Sequence, residues 1–323
     1  MTQQVYITRA VPDLVSSMLQ QALPGLRIEA NRHDRNLTAA ELLQHATGAN
    51  GLICTLADPI DRSLLQALAP KLKVVATYAV GVNNIDLVAA RELGICVTNT
   101  PGVLTDATAE IAVGLILACA RRMVEGDRLT RHDGFTGWAP LFHRGHGVFG
   151  KTLGIVGAGR IGKRVAQAML HGFGCRVLYT SRAPHPDWDN ELAATHLELE
   201  DLLAQSDFVS LHCPLTPQTR HLLDARRIAL MKPSAILVNT ARGPVIDEAA
   251  LVKALTQGVI AAAGLDVYED EPRLAPGLTA LPNVVLLPHI GSATLETRNE
   301  MGRMCAQAVI DVLQGRRPRH ALT

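Results

Sequence analysis

Three residues far apart in the chain are of the types that move protons and hold small anions: Arg242 in VNTARG (238–243), Glu271 in GLDVYEDEP (264–272) and His289 in LPHIGS (287–292). Each follows an apolar run that reads as a strand. In an open parallel sheet, ligands bind beyond the carboxyl ends of strands, so residues distant in sequence can converge there. A histidine beside a carboxylate can protonate an oxygen on which charge develops, while the carboxylate favours the charged ring and fixes which nitrogen faces outward. An arginine fork suits a planar carboxylate next to a carbonyl. Singly, each residue has a plainer reading: Arg242 as the cap of a turn, Glu271 as an exposed acid in the run Glu269-Asp270-Glu271, and Pro288-His289 as a turn. Their joint occurrence at three strand ends favours the chemical reading.

A second constellation lies in KTLGIVGAGRIGKRVA (151–166), where GxGxxG stands between an apolar run and a helical pattern. Gly157 permits the tight turn, Gly159 lets the backbone approach a pyrophosphate, and Gly162 lets the next helix pack closely, its N-terminus meeting the phosphate charge. Arg160 can add a direct phosphate contact. A glycine-rich turn without a ligand is the plainer alternative, weakened by the strand-turn-helix context. About twenty residues on, where an NAD-binding unit carries Asp or Glu for the ribose 2′-hydroxyl, this chain has LYTSR (178–182). Ser181 and Arg182 can bind a 2′-phosphate that a carboxylate would repel. NADP(H) is therefore favoured, with NAD(H) still possible; an ordinary surface arginine after a strand is the other reading.

These residues need a frame. Apolar β-branched runs at 5–7, 51–54 and 74–78 alternate with helical patterns such as 61–68, the rhythm of a βαβ sheet. One long helical pattern covers 106–130, and 133–150 has no usable period and reads as a loop that something else must order. A second series follows, with strands at 153–156, 176–180, 208–211, 235–238, 261–266 and 284–287. A final helix at 295–313 is expected to return to the first domain. The fold class predicted is α/β, with doubly wound parallel sheets.

The 323 residues suffice for two domains, and a formal net charge of +1 supplies no field to hold nucleic acid or an anionic membrane. Hydrophobic residues make up 48% and aromatics only 3%, which suits helices on a parallel sheet. Six scattered cysteines without a CxxC pair read as reduced, mostly buried thiols. His143 and His146 form an HxxH without further clustered ligands, so no metal is expected. The apolar run 111–120 is too short for a bilayer and the start lacks a secretory pattern, so cytoplasm is the expected compartment.

The ordered motifs TYAVGVNNID (77–86), TDATAEIAVGLILACARR (105–122), LGIVGAGRIG (153–162), SDFVSLHCPLTPQTRHL (206–222), MKPSAILVNTARGPVIDEAALVKAL (231–255), AAGLDVYEDEP (262–272) and LPHIGSAT (287–294) span nearly the whole chain. In them the sequence resembles the D-isomer-specific 2-hydroxyacid dehydrogenases, within which it is similar to the glyoxylate, hydroxypyruvate and 2-ketogluconate reductases. The resemblance implies two Rossmann-like domains: a flavodoxin-like substrate domain from 1–98 plus 290–323, and a dinucleotide-binding domain at 99–289, assembled as a homodimer.

By the same resemblance His289 is the general acid/base, Glu271 its partner and Arg242 the hold on a small 2-keto acid, with backbone amides at Val80 and Gly81 binding its carboxylate. Thr108, Ile161, Cys213, Pro214, Thr240, Ala241, Asp266, Gly291 and Ser292 would line the cofactor cleft. Trp138 matches a tryptophan that in related reductases reaches toward the neighbouring subunit, simple interface packing being the alternative. The implied activity is NADPH-dependent reduction of glyoxylate or hydroxypyruvate. A 2-ketogluconate reductase, a dehydrogenase for a bulkier D-2-hydroxy acid, and a non-enzymatic dinucleotide-sensing corepressor stand as alternatives.

Overall fold

The computed structural model describes residues 2–323. It divides into two compact units, the first comprising the chain up to Leu104 with Ser292–Thr323, the second Thr105–Gly291.

In the first unit β1 (Gln4–Ile7), α1 (Leu14–Ala22), β2 (Arg27–Ala30), α2 (Ala39–Ala46), β3 (Gly51–Cys54), α3 (Arg62–Leu68), β4 (Val74–Thr77), α4 (Leu87–Glu92) and β5 (Cys96–Thr98) form a parallel sheet ordered β2-β1-β3-β4-β5. Every residue of β3 and β4 is buried because helices cover both faces. Polar side chains punctuate the helices: Thr38 and Glu41 form a capping box at α2, and Asp61 and Asp86 accept the Leu64 and Ala89 amides at α3 and α4. On one face Val5, Ile7, Val15 and Leu19 pack with Met301, Cys305 and Val309 of the chain's last helix.

The second unit comprises α5 (Thr105–Ala120), α6 (Met123–Arg131), β6 (Thr152–Val156), α7 (Arg160–Phe173), β7 (Arg176–Thr180), α8 (Pro186–Leu192), β8 (Thr195–His196), α9 (Leu199–Gln205), β9 (Phe208–Leu211), α10 (Ala225–Ile228), β10 (Ile236–Asn239), α11 (Glu248–Thr256), β11 (Ala262–Leu265) and β12 (Val284–Leu286). Its parallel sheet runs β12-β11-β10-β9-β6-β7-β8, the doubly wound order in which the direction of strand addition reverses at β6. Alternate strand residues feed two cores, Ile155, Phe208 and Val238 beneath α5 and α7, and Val209, Leu211 and Leu237 on the opposite face. The last helix, α12 (Leu295–Leu313), follows the sheet and belongs to the first unit.

The divisions fall later than the expected 98/99 and 289/290. Val103 and Leu104 pack in the first unit's core before Thr105 opens α5, and the Ile290 and Gly291 amides are held by Asp266 of the second.

The single helix expected over 106–130 is broken. Arg122 adopts a left-handed φ of 53° between α5 and α6, while the His146 amide donates to the Ala120 carbonyl at 2.7 Å and the Arg122 guanidinium pairs with Glu125. The periodic pattern continues through a break imposed by the crossing 144–146 segment. The loop at 133–150 is irregular, as expected, and leaves Phe135, Trp138 and Leu141 exposed. All six thiols are free and five are buried. Among the described residues no helix is long and apolar enough to cross a membrane.

Candidate active site

The turn after β6 is shaped by what it lacks. Gly157 has φ +105°, and a Cβ there would lie 2.5 Å from the Cys213 amide nitrogen; one on Gly162 would lie 2.5 Å from the Gly157 carbonyl oxygen. Gly159 is the N-cap residue of α7 and faces open space, so its backbone is approachable. Arg160 is the first helical residue, exposed, followed by the half-buried Ile161. The first turn of this fourteen-residue helix presents unsatisfied N–H groups of the kind that take phosphate.

At the end of β7 the Ser181 hydroxyl donates to the Ala183 carbonyl at 2.6 Å, and its own carbonyl is 3.2 Å from His196 Nε2. Arg182 is exposed beside it, and its guanidinium has no ion pair or hydrogen bond among the described residues. Cys213 and Thr108 are buried, Pro214 is exposed and Ala241 is half-buried. Thr108 donates to the Gly291 carbonyl at 3.1 Å. Thr240 Oγ1 and His212 Nδ1 are buried polar atoms without a partner among the described residues. Burial also pushes the His212 imidazole down to about 3, so this ring stays neutral. An open glycine turn, a free helix terminus and unpartnered polar atoms fit a bound dinucleotide.

Three loops bring the ionisable residues together. After β10, Asn239 braces the turn, its Oδ1 accepting the Ala241 amide and its Nδ2 donating to the Arg242 carbonyl, both at 2.9 Å. Burial depresses Arg242's pKa, opposed by the charge of Glu271, yet an arginine keeps its proton. After β11 comes Glu271, whose Oε1 accepts the Tyr268 amide at 3.0 Å and whose Oε2 lies 2.8 Å from His289 Nδ1. Burial pushes the Glu271 carboxyl upward, but the His289 contact, the Tyr268 amide and the Arg242 charge outweigh it and hold the carboxyl below its ordinary range. After β12, His289 stands in the left-handed region with φ +56°. Asp266 accepts the next two amides, Ile290 and Gly291, each at 2.7 Å, and its own carboxyl is pushed up by burial. Tyr268 adds a hydroxyl donated to the Leu287 carbonyl at 2.7 Å.

The expected trio thus converges within the second unit. Pinned through Nδ1, the ring is free to offer Nε2, and a carboxylate-braced histidine beside a desolvated arginine can transfer a proton at a carbonyl oxygen. Val80 and Gly81 follow β4 in the first unit, where Asn99 Nδ2 donates to the Val80 carbonyl at 2.8 Å. Ser292 opens the first unit's returning segment. His143 and His146 are tied to the end of α5, His143 Nε2 lying 3.0 Å from the Arg122 carbonyl, and among the described residues no cluster of metal-binding side chains occurs. Sequence reasoning missed the bracing residues Asn239 and Tyr268. Only Asn239, at a strand end inside VNTARG, carried any signal.

These features define a two-unit, doubly wound α/β protein whose second unit is built for a dinucleotide. The chain belongs to the D-isomer-specific 2-hydroxyacid dehydrogenase family, whose model for the NAD-binding domain matches residues 113–291. A glyoxylate reductase from Thermococcus litoralis is 46% identical over 322 residues, covering 98% of this chain and 96% of that protein. A crystal structure of a protein from Thermus thermophilus superimposes with TM-score 0.92 at 45% identity, covering 99% of this chain and all of that one. An NADPH-dependent glyoxylate/hydroxypyruvate reductase from Sinorhizobium meliloti, solved with NADP and malonate, gives TM-score 0.81 at 29% identity, covering 100% of this chain and 97% of that one.

Proposed function

We propose that this protein reduces small 2-keto acids, glyoxylate or hydroxypyruvate, to D-2-hydroxy acids with NADPH preferred over NADH. The observation that carries the reading is the 2.8 Å contact between His289 Nδ1 and Glu271 Oε2, next to the half-buried Arg242. The cofactor held by the glycine turn after β6 would supply the hydride for the keto carbon. His289 then protonates the oxygen that gains charge, Glu271 keeps the ring oriented, and Arg242 pairs with the acid while polarising its carbonyl. Val80 and Gly81 keep the role of carboxylate donors that the family likeness assigns them.

The cofactor preference rests on the free guanidinium of Arg182 after β7, in a position where a carboxylate would otherwise read the ribose. The exposed Phe135, Trp138 and Leu141, with Trp138 83% exposed, suit a homodimer; light scattering should then give twice the 34.6 kDa chain mass. The expected compartment remains the cytoplasm, testable by cell fractionation.

Initial rates at pH 7 with NADPH or NADH against glyoxylate, hydroxypyruvate, 2-ketogluconate and phenylpyruvate test the reading. Fast NADPH oxidation with the two small acids is expected. Faster turnover of a bulky acid would overturn the substrate assignment, an NADH preference the cofactor assignment, and cofactor binding without turnover on any acid the catalytic reading as a whole. In the same assay Arg182→Asp should reverse the preference toward NADH, and an unchanged ratio would remove the basis for the NADP argument.

A further inference from the structure

Glu248 lies outside the trio and has no chemical reading in the motif that contains it, yet it is a buried acid with both carboxylate oxygens held. It is the first residue of α11, where Asp247 caps the helix by accepting the Ala250 amide at 2.9 Å. Only 4% of Glu248 is exposed. A carboxylate at this depth is costly unless its oxygens are satisfied, and here both are. Oε1 accepts the Glu269 amide at 2.6 Å and Oε2 the Ala275 amide at 3.2 Å, while the Glu248 amide donates back to Glu269 Oε2 at 3.4 Å. The positive N-terminal end of α11 favours the same charge.

The two amides that Glu248 joins bracket the segment carrying Glu271. At the near end of that segment, backbone packs against backbone: a Cβ on Gly243 would fall 1.8 Å from the Tyr268 carbonyl group, so the turn bearing Arg242 sits directly on the loop bearing Glu271. Glu269 is held from outside by His221 Nε2 at 2.5 Å and Arg220 at 3.3 Å. Among the described residues no other side chain spans both ends of the loop.

We propose that Glu248 is a positioning residue for the Glu271–His289 pair, its carboxylate acting as a two-point clamp that fixes where the Glu271 carboxylate meets the imidazole. The proposal rests on the reading of that pair given above. The charged groups facing the pair are Asp266 from the end of β11, Arg242 from the turn after β10 and Glu248 from α11; Glu269 of the same loop faces Glu248, with Arg220 and His221 behind it. Of these only Glu248 contacts the backbone at both ends of the loop.

Two substitutions separate geometry from charge. Glu248→Asp keeps the charge but is one methylene too short to reach both amides, and Glu248→Gln keeps the length but turns an N–H group against an N–H group. In the full chain, both should bind NADPH within about twofold of the parent while kcat for glyoxylate falls about tenfold or more, as expected when a reacting group is displaced by a fraction of an ångström to an ångström. A displaced carboxylate supports the protonated ring less, so the alkaline decline of kcat/KM should begin at lower pH in both variants.

Three results would overturn the proposal: both variants merely less heat-stable with kcat and pH profile unchanged, a shift in Glu248→Gln alone, which would assign the effect to charge, or an unchanged profile in Glu271→Gln. The last would bring down the underlying reading of the pair; a shift in Glu271→Gln without one in the Glu248 variants would remove only the clamp.

Discussion

The two units reach the same place in their topology and treat it in opposite ways. In each sheet one strand marks the point where strand order reverses, β1 in the first unit and β6 in the second, and open α/β sheets offer a crevice beyond that strand's carboxyl end. After β6 the chain leaves the crevice open with Gly157, and the first turn of α7 starts only four residues past Val156. After β1 the same space is filled by side chains. The fully buried Thr8 donates to Asp58 Oδ2 at 2.6 Å, Asp58 also accepts the Thr55 amide at 2.7 Å, and Asn31 Nδ2 donates to the Thr8 carbonyl at 3.0 Å. Arg9 closes the rim through Asp34 at 3.1 Å. Topology thus provides two crevices, and side-chain volume decides which one admits a ligand.

The sharpest way to break this comparison is to fill the open crevice. Gly157→Ala forces a Cβ against the Cys213 and His212 backbone at a φ that alanine tolerates poorly. We expect NADPH affinity to fall at least about a hundredfold and stability by about 2–4 kcal/mol, the range of a severe backbone or packing conflict. Fluorescence titration and urea denaturation measure both, and unaltered affinity would refute the argument from space.

A smaller effect is expected from the buried carboxylates that serve each crevice. Asp266→Asn sets an amide N–H group against a backbone N–H donor, and Asp58→Asn replaces the charged oxygen that the Thr8 hydroxyl and the Thr55 amide and hydroxyl share with a neutral one, each at about 1–3 kcal/mol of stability. They should part company in function. Asp58→Asn should leave NADPH affinity within about twofold, whereas Asp266→Asn, which loosens the turn just after His289, should also lower kcat. Equal effects of the two on kcat and NADPH affinity would mean that the units are not specialised in this way.

The smallest effect is electrostatic. The folded Glu271 carboxyl binds its proton less readily than an unfolded one, which titrates at about 4.3. Its contribution to stability is therefore complete above the unfolded value and disappears as pH falls through the lower, folded value. With its side chain 29% exposed, the pair should contribute no more than about 1 kcal/mol. The gap in urea midpoint between the parent and Glu271→Gln should be visible at pH 7 and narrow as pH falls below the unfolded value of about 4.3. A gap that widened in acid would contradict the assigned direction.

Much of this was legible in the sequence, for physical reasons that differ along the chain. The buried strands β3, β4, β6 and β9 announce themselves because burial on both faces demands continuous apolar runs. The edge strand β2, RIEA, is partly or fully exposed at every residue, and β8 is two residues long, so neither leaves a pattern. Gly157, Gly159 and Gly162 were legible because backbone geometry restricts residue type at such a turn. Glu248 was not, since an acid at the start of a helix looks the same whether it faces water or clasps the amides of a distant loop. The break at Arg122 was hidden for a similar reason: the partner that ends α5 lies some twenty-five residues onward, at His146.

Gly243 carries no functional group and sits in an ordinary backbone conformation. Yet the carbonyl of Tyr268 occupies the volume where any other residue would begin. In a saturation-mutagenesis library selected for turnover, position 243 should be as barren as position 289, and no second-site change in a neighbouring side chain should restore it, because the obstacle is main chain. Two loops that meet this closely have lost the freedom to evolve separately.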